Sequence, residues 1–327
     1  MDVAARDRSI DPSPSQGAGG TRVGLRDALN LPWRPSMQAR PGRRGTIGPM
    51  PELPEVETIR RQLEQVLVGQ TVTSIEVLWH KSLVYQGVGT APLVGRRVEA
   101  VDRRGKMLIF SFDGGMSVLA HLRMTGQLVW MPGGRGNPPT SATRVMLGFG
   151  DAGVLVFNDQ RKFGSLVVLA TSEVGVGGLL ARMGPEPLTG EFNSEVLEAR
   201  VARRPRSTIK AALLDQAVVA GVGNIYADEV LWAAQIHPES QCRALGAAQF
   251  EALVGGLVEV LTTSLDRGGS TMRDYVDAAG QRGTYLDVAH VFGRTGQACA
   301  RCGGAIEKIR VAGRGTHLCA ACQVRYV

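Results

Sequence analysis

Four of the chain's five cysteines fall in two pairs near its C-terminus, Cys299-x-x-Cys302 and Cys319-x-x-Cys322, with sixteen residues between the inner two. Four thiolates at this spacing suit one tetrahedral Zn²⁺ in a closed structural site. A dithiol redox role is the other chemistry of Cys-x-x-Cys, and the second pair argues against it. His317 could compete as a ligand, but four cysteines already complete the set. A ribbon this short has little core of its own, so the metal would stabilise it. Arg310 and Arg314 lie in the hairpin between the pairs, where they either reach a phosphate or a groove or are simply solvated. Cys242 stands alone and reads as a buried packing residue.

Two further stretches could do chemistry. Directly after Met50 comes Pro51-Glu52-Leu53-Pro54-Glu55-Val56-Glu57-Thr58. Glu52, Glu55 and Glu57 suit the positive end of a helix dipole, and Pro54 suits a first helical turn, where its missing N–H is not needed. One reading is a well-started amphipathic helix; the other is that Pro51 is itself reactive, which requires it to be the working N-terminus. The second stretch, Ala220-Gly221-Val222-Gly223-Asn224, is a glycine-rich turn between two helical segments. Gly221 and Gly223 permit positive φ and let a phosphate approach the bare backbone, with N–H groups of the next helix facing it. The alternative is a tight helical hairpin without a ligand.

The elements that must position these groups can be read from periodicity. Val56, Ile59, Leu63, Val66 and Leu67 recur at helical spacing. Strands are expected at 71–78, 97–101, 106–112, 117–123, 144–149 and 154–158, with turns at Asp113-Gly114-Gly115 and Asp151-Ala152-Gly153. Such closely spaced strands predict an antiparallel sandwich or barrel. Residues 133–141, rich in Gly and Pro, read as an irregular loop. Helices follow at 208–216 and 225–234, and Phe250, Leu253, Val254, Leu257, Leu261 and Leu265 mark a third. The fold class is therefore α+β, in four parts. Residues 1–49 form an extension, 50–181 a helix plus β-sandwich, 182–294 a helical domain, and 295–327 the Cys₄ ribbon.

Composition narrows the function classes. The 327 residues carry a net charge of +7, dominated by arginine, with lysine only at 81, 106, 162, 210 and 308. A basic chain favours an anionic partner. No apolar run reaches the roughly 18 residues of a membrane span. Residues 1–49 hold eight arginines and four aspartates, +4 of the total, and show no periodic apolar pattern. They read as disordered, without a secretory signal. An over-extended reading frame whose natural start is Met50 accounts for them most simply.

Seven motifs occur in one order: Pro51–Thr58, Arg104-Gly105-Lys106, His121-Leu122-Arg123-Met124-Thr125-Gly126, Asn158–Gly164, Gly184–Leu188, Gly221–Ala227 and the Cys₄ ribbon. Together they resemble the formamidopyrimidine-DNA glycosylases, bacterial enzymes of base excision repair that remove 8-oxoguanine and ring-opened purines. The resemblance spans Met50 to Val327. It implies an N-terminal helix and β-sandwich, a helix–two-turns–helix domain and a zinc ribbon with one structural Zn²⁺. It also implies a bifunctional glycosylase and AP lyase acting on damaged double-stranded DNA as a monomer in the bacterial cytoplasm, associated with the nucleoid.

Residue by residue, the resemblance makes Pro51 the nucleophile once Met50 is removed. An α-amine with a pKa near 8 is partly neutral at physiological pH and can attack the deoxyribose C1′, giving an iminium that drives β- and then δ-elimination. Glu52 becomes the general acid–base and Lys106 a second basic group that contacts phosphate and assists catalysis, with Glu55 in support. Met124, Arg161 and Phe163 would fill the gap left by the flipped nucleotide. Asn224 and Lys210, with Gly221 and Gly223, would contact phosphate; Arg314 would contact DNA from the ribbon; residues 269–294 would supply a loop over the everted base. Gln160 stands where many relatives have proline. Two alternatives stay open. One is the sister endonuclease branch that favours oxidised pyrimidines, against which Leu53 argues. The other is a non-catalytic damage-binding protein, if residues 1–50 block the proline.

Overall fold

The computed structural model describes residues 50–327 except 89–92, 134–138, 177 and 272–274. All of them lie in the larger of the chain's two units, Arg40–Val327. The expectations for residues 1–49, for most of the loop at 133–141 and for part of the loop at 269–294 fall outside the described residues.

Helix α1, Leu53–Leu67, buries Leu53, Val56, Ile59, Leu63 and Leu67 completely. Among the described residues nine strands follow: β1 Ser74–Val77, β2 Leu83–Tyr85, β3 Val98–Arg104, β4 Met107–Phe112, β5 Met116–His121, β6 Gly126–Pro132, β7 Thr143–Gly148, β8 Gly153–Asp159 and β9 Ser165–Ala170. They form a five-stranded sheet, β2-β9-β5-β4-β3, and a four-stranded sheet, β1-β7-β8-β6. Both turns expected from Asp-Gly-type signals are present, between β4 and β5 and between β7 and β8. The pairings are antiparallel except at one edge, where β2 runs parallel to β9. Strands β2, β6 and β9 were not expected. The run in β9 is apolar without alternation, and β2 has only three residues, too short for a period to register.

One apolar core is shared by both sheets and α1, built from residues such as Leu63, Phe110, Val118, Leu128, Val145 and Phe157. A second core belongs to the helices α2 Ser194–Val201, α3 Ile209–Leu214, α4 Asn224–Ala233 and α5 Ala247–Asp266. A small third cluster joins Trp232, Val291 and Ile306 to Cys299 and Cys319, beneath the hairpin β10 Glu307–Val311 and β11 Arg314–Leu318. Two segments cross these divisions: Tyr275 and Ala278 pack into the first core, and Trp232 of α4 into the third. Burying these side chains across the boundaries ties the three cores together.

Candidate active site

The start of α1 and the start of α4 meet head to head. The Leu53 N–H donates to the Gly221 carbonyl at 3.0 Å. The Glu52 carboxylate accepts the N–H of Gly223 at 2.6 Å and of Ile225 at 3.0 Å, so it occupies the N-terminus of α4. There the orphan N–H groups and the helix dipole both favour a negative charge. Glu52 is nevertheless 2% exposed. Burial pushes its carboxyl up to about 7; Lys106 pulls it down, Glu55 pushes it up, and the two N–H donors pull it down. Desolvation wins, and the group titrates near neutrality.

Lys106 sits in the β3–β4 turn, 6% exposed. Burial holds its amine below the usual lysine range, against the pull of Glu52 and Glu55 and with help from Arg314. Its turn is fixed from outside. Glu186 accepts the Gly105 N–H at 2.6 Å and a bidentate pair from Arg103 at 3.0 and 2.7 Å. A Cβ built on Gly223 would lie 2.4 Å from Glu52 Cδ and 2.6 Å from Lys106 Nζ, so both functional groups converge on this bare backbone. Gly221, at φ +90°, packs as closely against Leu53. Pro51 is buried at the same junction, its nitrogen in the peptide bond to Met50.

Glu55 is the next layer. It is 1% exposed and accepts the Glu52 N–H at 2.8 Å, the Ser270 N–H at 2.6 Å and hydroxyls from Ser270 and Tyr226. One carboxylate thus ties α1 to α4 and to the end of α5.

The remaining expected residues fall in two groups. Met124, Arg161 and Phe163 lie together: Arg161 reaches the Met124 sulfur at 3.1 Å and stacks over the Phe163 ring at 4.8 Å, with Phe163 55% exposed. Buried Asp159 assembles them, accepting from the Thr125 hydroxyl and from the Arg161 and Gly164 N–H groups. Arg314 is exposed at the start of β11. Asn224 donates to the Gly315 carbonyl at 3.0 Å.

Lys210 differs from its expectation as a phosphate contact. Its amine is fully buried, paired with Asp228 at 2.5 Å and bonded to the Thr316 hydroxyl at 2.7 Å. Asp228 also accepts the His317 N–H at 2.8 Å, so the set staples β11 to α4. The glycine-rich turn differs too, because its N–H groups at Gly223 and Ile225 are taken by Glu52 rather than open to a phosphate. Sequence reasoning missed Asp159, Glu186, Asp228 and Glu229. Glu229 accepts the N–H groups of His290, Val291 and Phe292 at 2.7 to 2.9 Å. A signal existed for the last two: adjacent acids in a helix that is otherwise apolar on nearly every face.

The four cysteine sulfurs lie within 4.8 Å of one another, with Cys299–Cys322 at 3.9 Å and Cys302–Cys319 at 3.5 Å. Four ligands at about 2.3 Å from Zn²⁺ in a tetrahedron lie about 3.8 Å apart. The donor set fits one structural zinc.

Three family models match in series. They are the formamidopyrimidine-DNA glycosylase N-terminal domain at residues 50–166, its H2TH domain at 183–276, and the zinc finger found in FPG and IleRS at 296–324. The chain belongs to the formamidopyrimidine-DNA glycosylase family. The protein of that name from Latilactobacillus sakei is 40% identical over 277 residues, 84% of this chain and 99% of the relative. That from Exiguobacterium sibiricum is 42% identical over 278 residues, with the same shares covered. A variant of Lactococcus lactis FPG bound to a Fapy-dG containing DNA superposes with a TM-score of 0.78 at 38% identity, covering 84% of this chain and 100% of the other. The Lactococcus lactis Fpg complex with an abasic site containing DNA has a TM-score of 0.77 at 38% identity, with the same coverage. The wild-type Lactococcus lactis enzyme complexed with an oxidized pyrimidine containing DNA matches equally well. Members of this family are DNA glycosylases with AP lyase activity, and a Cys₄ zinc finger is part of the fold.

Proposed function

We propose that this protein excises oxidised purines from duplex DNA and cleaves the strand, through Pro51 as N-terminal nucleophile. The observation that carries the reading is the buried junction of α1 and α4. Glu52 and Lys106 converge there over Gly223, Pro51 directly precedes Glu52 in the chain and is buried, and Glu52 is poised to titrate near pH 7. The neutral Pro51 amine attacks C1′, the C1′–base bond breaks, and the base leaves with its electron pair and takes a proton. Loss of the amine proton and opening of the sugar at its ring oxygen give the iminium, with protonated Glu52 supplying the proton to that oxygen. Removal of a C2′ proton then expels the 3′ phosphate, and δ-elimination expels the 5′ phosphate. Lys106, Arg314 and Asn224 face the phosphates, while Met124, Arg161 and Phe163 fill the gap in the stack. The protein works as a monomer in the bacterial cytoplasm, on the nucleoid.

A proline nitrogen inside a peptide bond has no lone pair for this attack, so the working chain begins at Pro51. Borohydride trapping on an abasic duplex tests this directly. Protein beginning at Pro51 is expected to form the covalent adduct and the 327-residue form is not. An adduct from the long form would show that the nucleophile is elsewhere. A second reading, preference for oxidised pyrimidines, draws support from the Lactococcus lactis complex with an oxidized pyrimidine containing DNA. Competing duplexes containing 8-oxoguanine and thymine glycol separate the two. Faster thymine glycol excision would overturn the purine assignment.

A further inference from the structure

Trp232 closes the C-terminal end of α4, 7% exposed, and its surroundings are unlike those of a residue that only fills space. Its indole Nε1–H donates to the Cys299 sulfur at 3.4 Å. One face of the ring stacks on His290 at 4.1 Å and 17° between planes. The ring also carries the Arg301 guanidinium, 4.0 Å from its centroid. Arg301 sits inside the first Cys-x-x-Cys, and its own backbone N–H donates to the same Cys299 sulfur at 3.4 Å. Its guanidinium caps the helix, donating to the carbonyls of Trp232 at 3.0 Å and Ala233 at 3.4 Å.

We infer that Trp232 is a positioning residue for the zinc centre: its indole N–H, with the ring packed against His290 and Arg301, holds the Cys299 thiolate and slows loss of the metal. The physical reason is charge. Four thiolates around Zn²⁺ leave a net charge of −2, and N–H donors to the sulfurs disperse it. Removing an outer-shell donor of this kind typically weakens metal binding by about ten- to a hundredfold. The contact also fixes geometry. The same helix holds Glu52 at its N-terminus and the first zinc knuckle at its C-terminus, so the knuckle's place on α4 is set relative to the catalytic junction.

The test is the rate at which zinc passes from the intact, zinc-loaded protein to an excess of chromogenic chelator. Trp232→Phe keeps an aromatic ring to stack on His290 and deletes the donor together with part of the buried ring. It is expected to release zinc about tenfold faster, with an unchanged far-ultraviolet spectrum. Release at the wild-type rate would overturn the inference, because packing alone would then account for the residue. A second measurement needs no variant that folds poorly. In the ¹¹³Cd-substituted, ¹⁵N-labelled wild-type protein, the Trp232 indole proton is expected to show scalar coupling to the metal through Cys299. Absence of coupling from every indole proton would equally sink the assignment.

Discussion

At the scale of single residues, the most informative position is Gly223. Its side of the turn is filled by Glu52 and Lys106, so any added atom must displace a functional group. Gly223→Ala is therefore expected to reduce excision at least a hundredfold, as misplaced catalytic groups do, while affinity for an uncleavable abasic-analogue duplex falls by less than tenfold. Single-turnover rates beside binding titrations check this, and equal losses in both would restore a phosphate-binding role to the turn. Glu52 sets a pH dependence. Its carboxyl is raised by burial from 4.5 to about 7, so the folded state holds that proton more tightly than the unfolded chain. Its contribution to stability is complete below pH 4.5 and is lost as pH rises through 7, up to about 3 kcal/mol. Glu52→Gln does not titrate. Its melting temperature relative to wild type is expected to rise between pH 5 and pH 8, and a constant difference would refute the shift.

At the scale of elements, α4 is the organising rod. Its N-terminus seats Glu52, its middle carries Asp228 and Glu229 to the ribbon and to residues 290–292, and its C-terminus meets Cys299. Buried ion pairs cost desolvation but are severe to break, because the surviving charge is left without compensation. Lys210→Met leaves Asp228 in that state and is expected to cost about 3–5 kcal/mol, read from chemical denaturation. In the folded protein, the slope of log affinity against log salt on duplex DNA is expected to stay unchanged. The slope is expected to drop by about one when exposed Arg314, assigned to the phosphates, is replaced by alanine. A smaller slope in Lys210→Met would return Lys210 to the phosphate contacts.

For the whole molecule, the connection between metal and chemistry runs through that rod. The ribbon's third core is small, and its hairpin carries Arg314, which acts electrostatically on Lys106. Stripping zinc is expected to unfold the hairpin while the two larger cores persist. Hydrogen exchange should then rise in 296–324 and remain slow in β3, β4 and α5, with excision lost and regained on zinc addition. Uniform exchange across all three cores would instead mean that the ribbon is not a separate unit of stability.

The sequence by itself determined the elements whose signal is local. Helical spacing from Val56 to Leu67 marked α1, two Asp-Gly-type turns marked their hairpins, and paired Cys-x-x-Cys motifs defined the metal site. Those signals are carried by residues within one or two turns of each other. Tertiary structure alone decided what the glycine turn and Lys210 do. A bare backbone N–H is equally good for a phosphate or for a carboxylate from 171 residues away, and only the approach of α1 to α4 gave it to Glu52. Lysine charge likewise says nothing of its partner until α3, α4 and β11 close around Asp228. The four missed acids have this cause in common. Each bonds backbone groups or side chains of other segments, and sequence spacing does not encode contacts that exist only once the cores are packed.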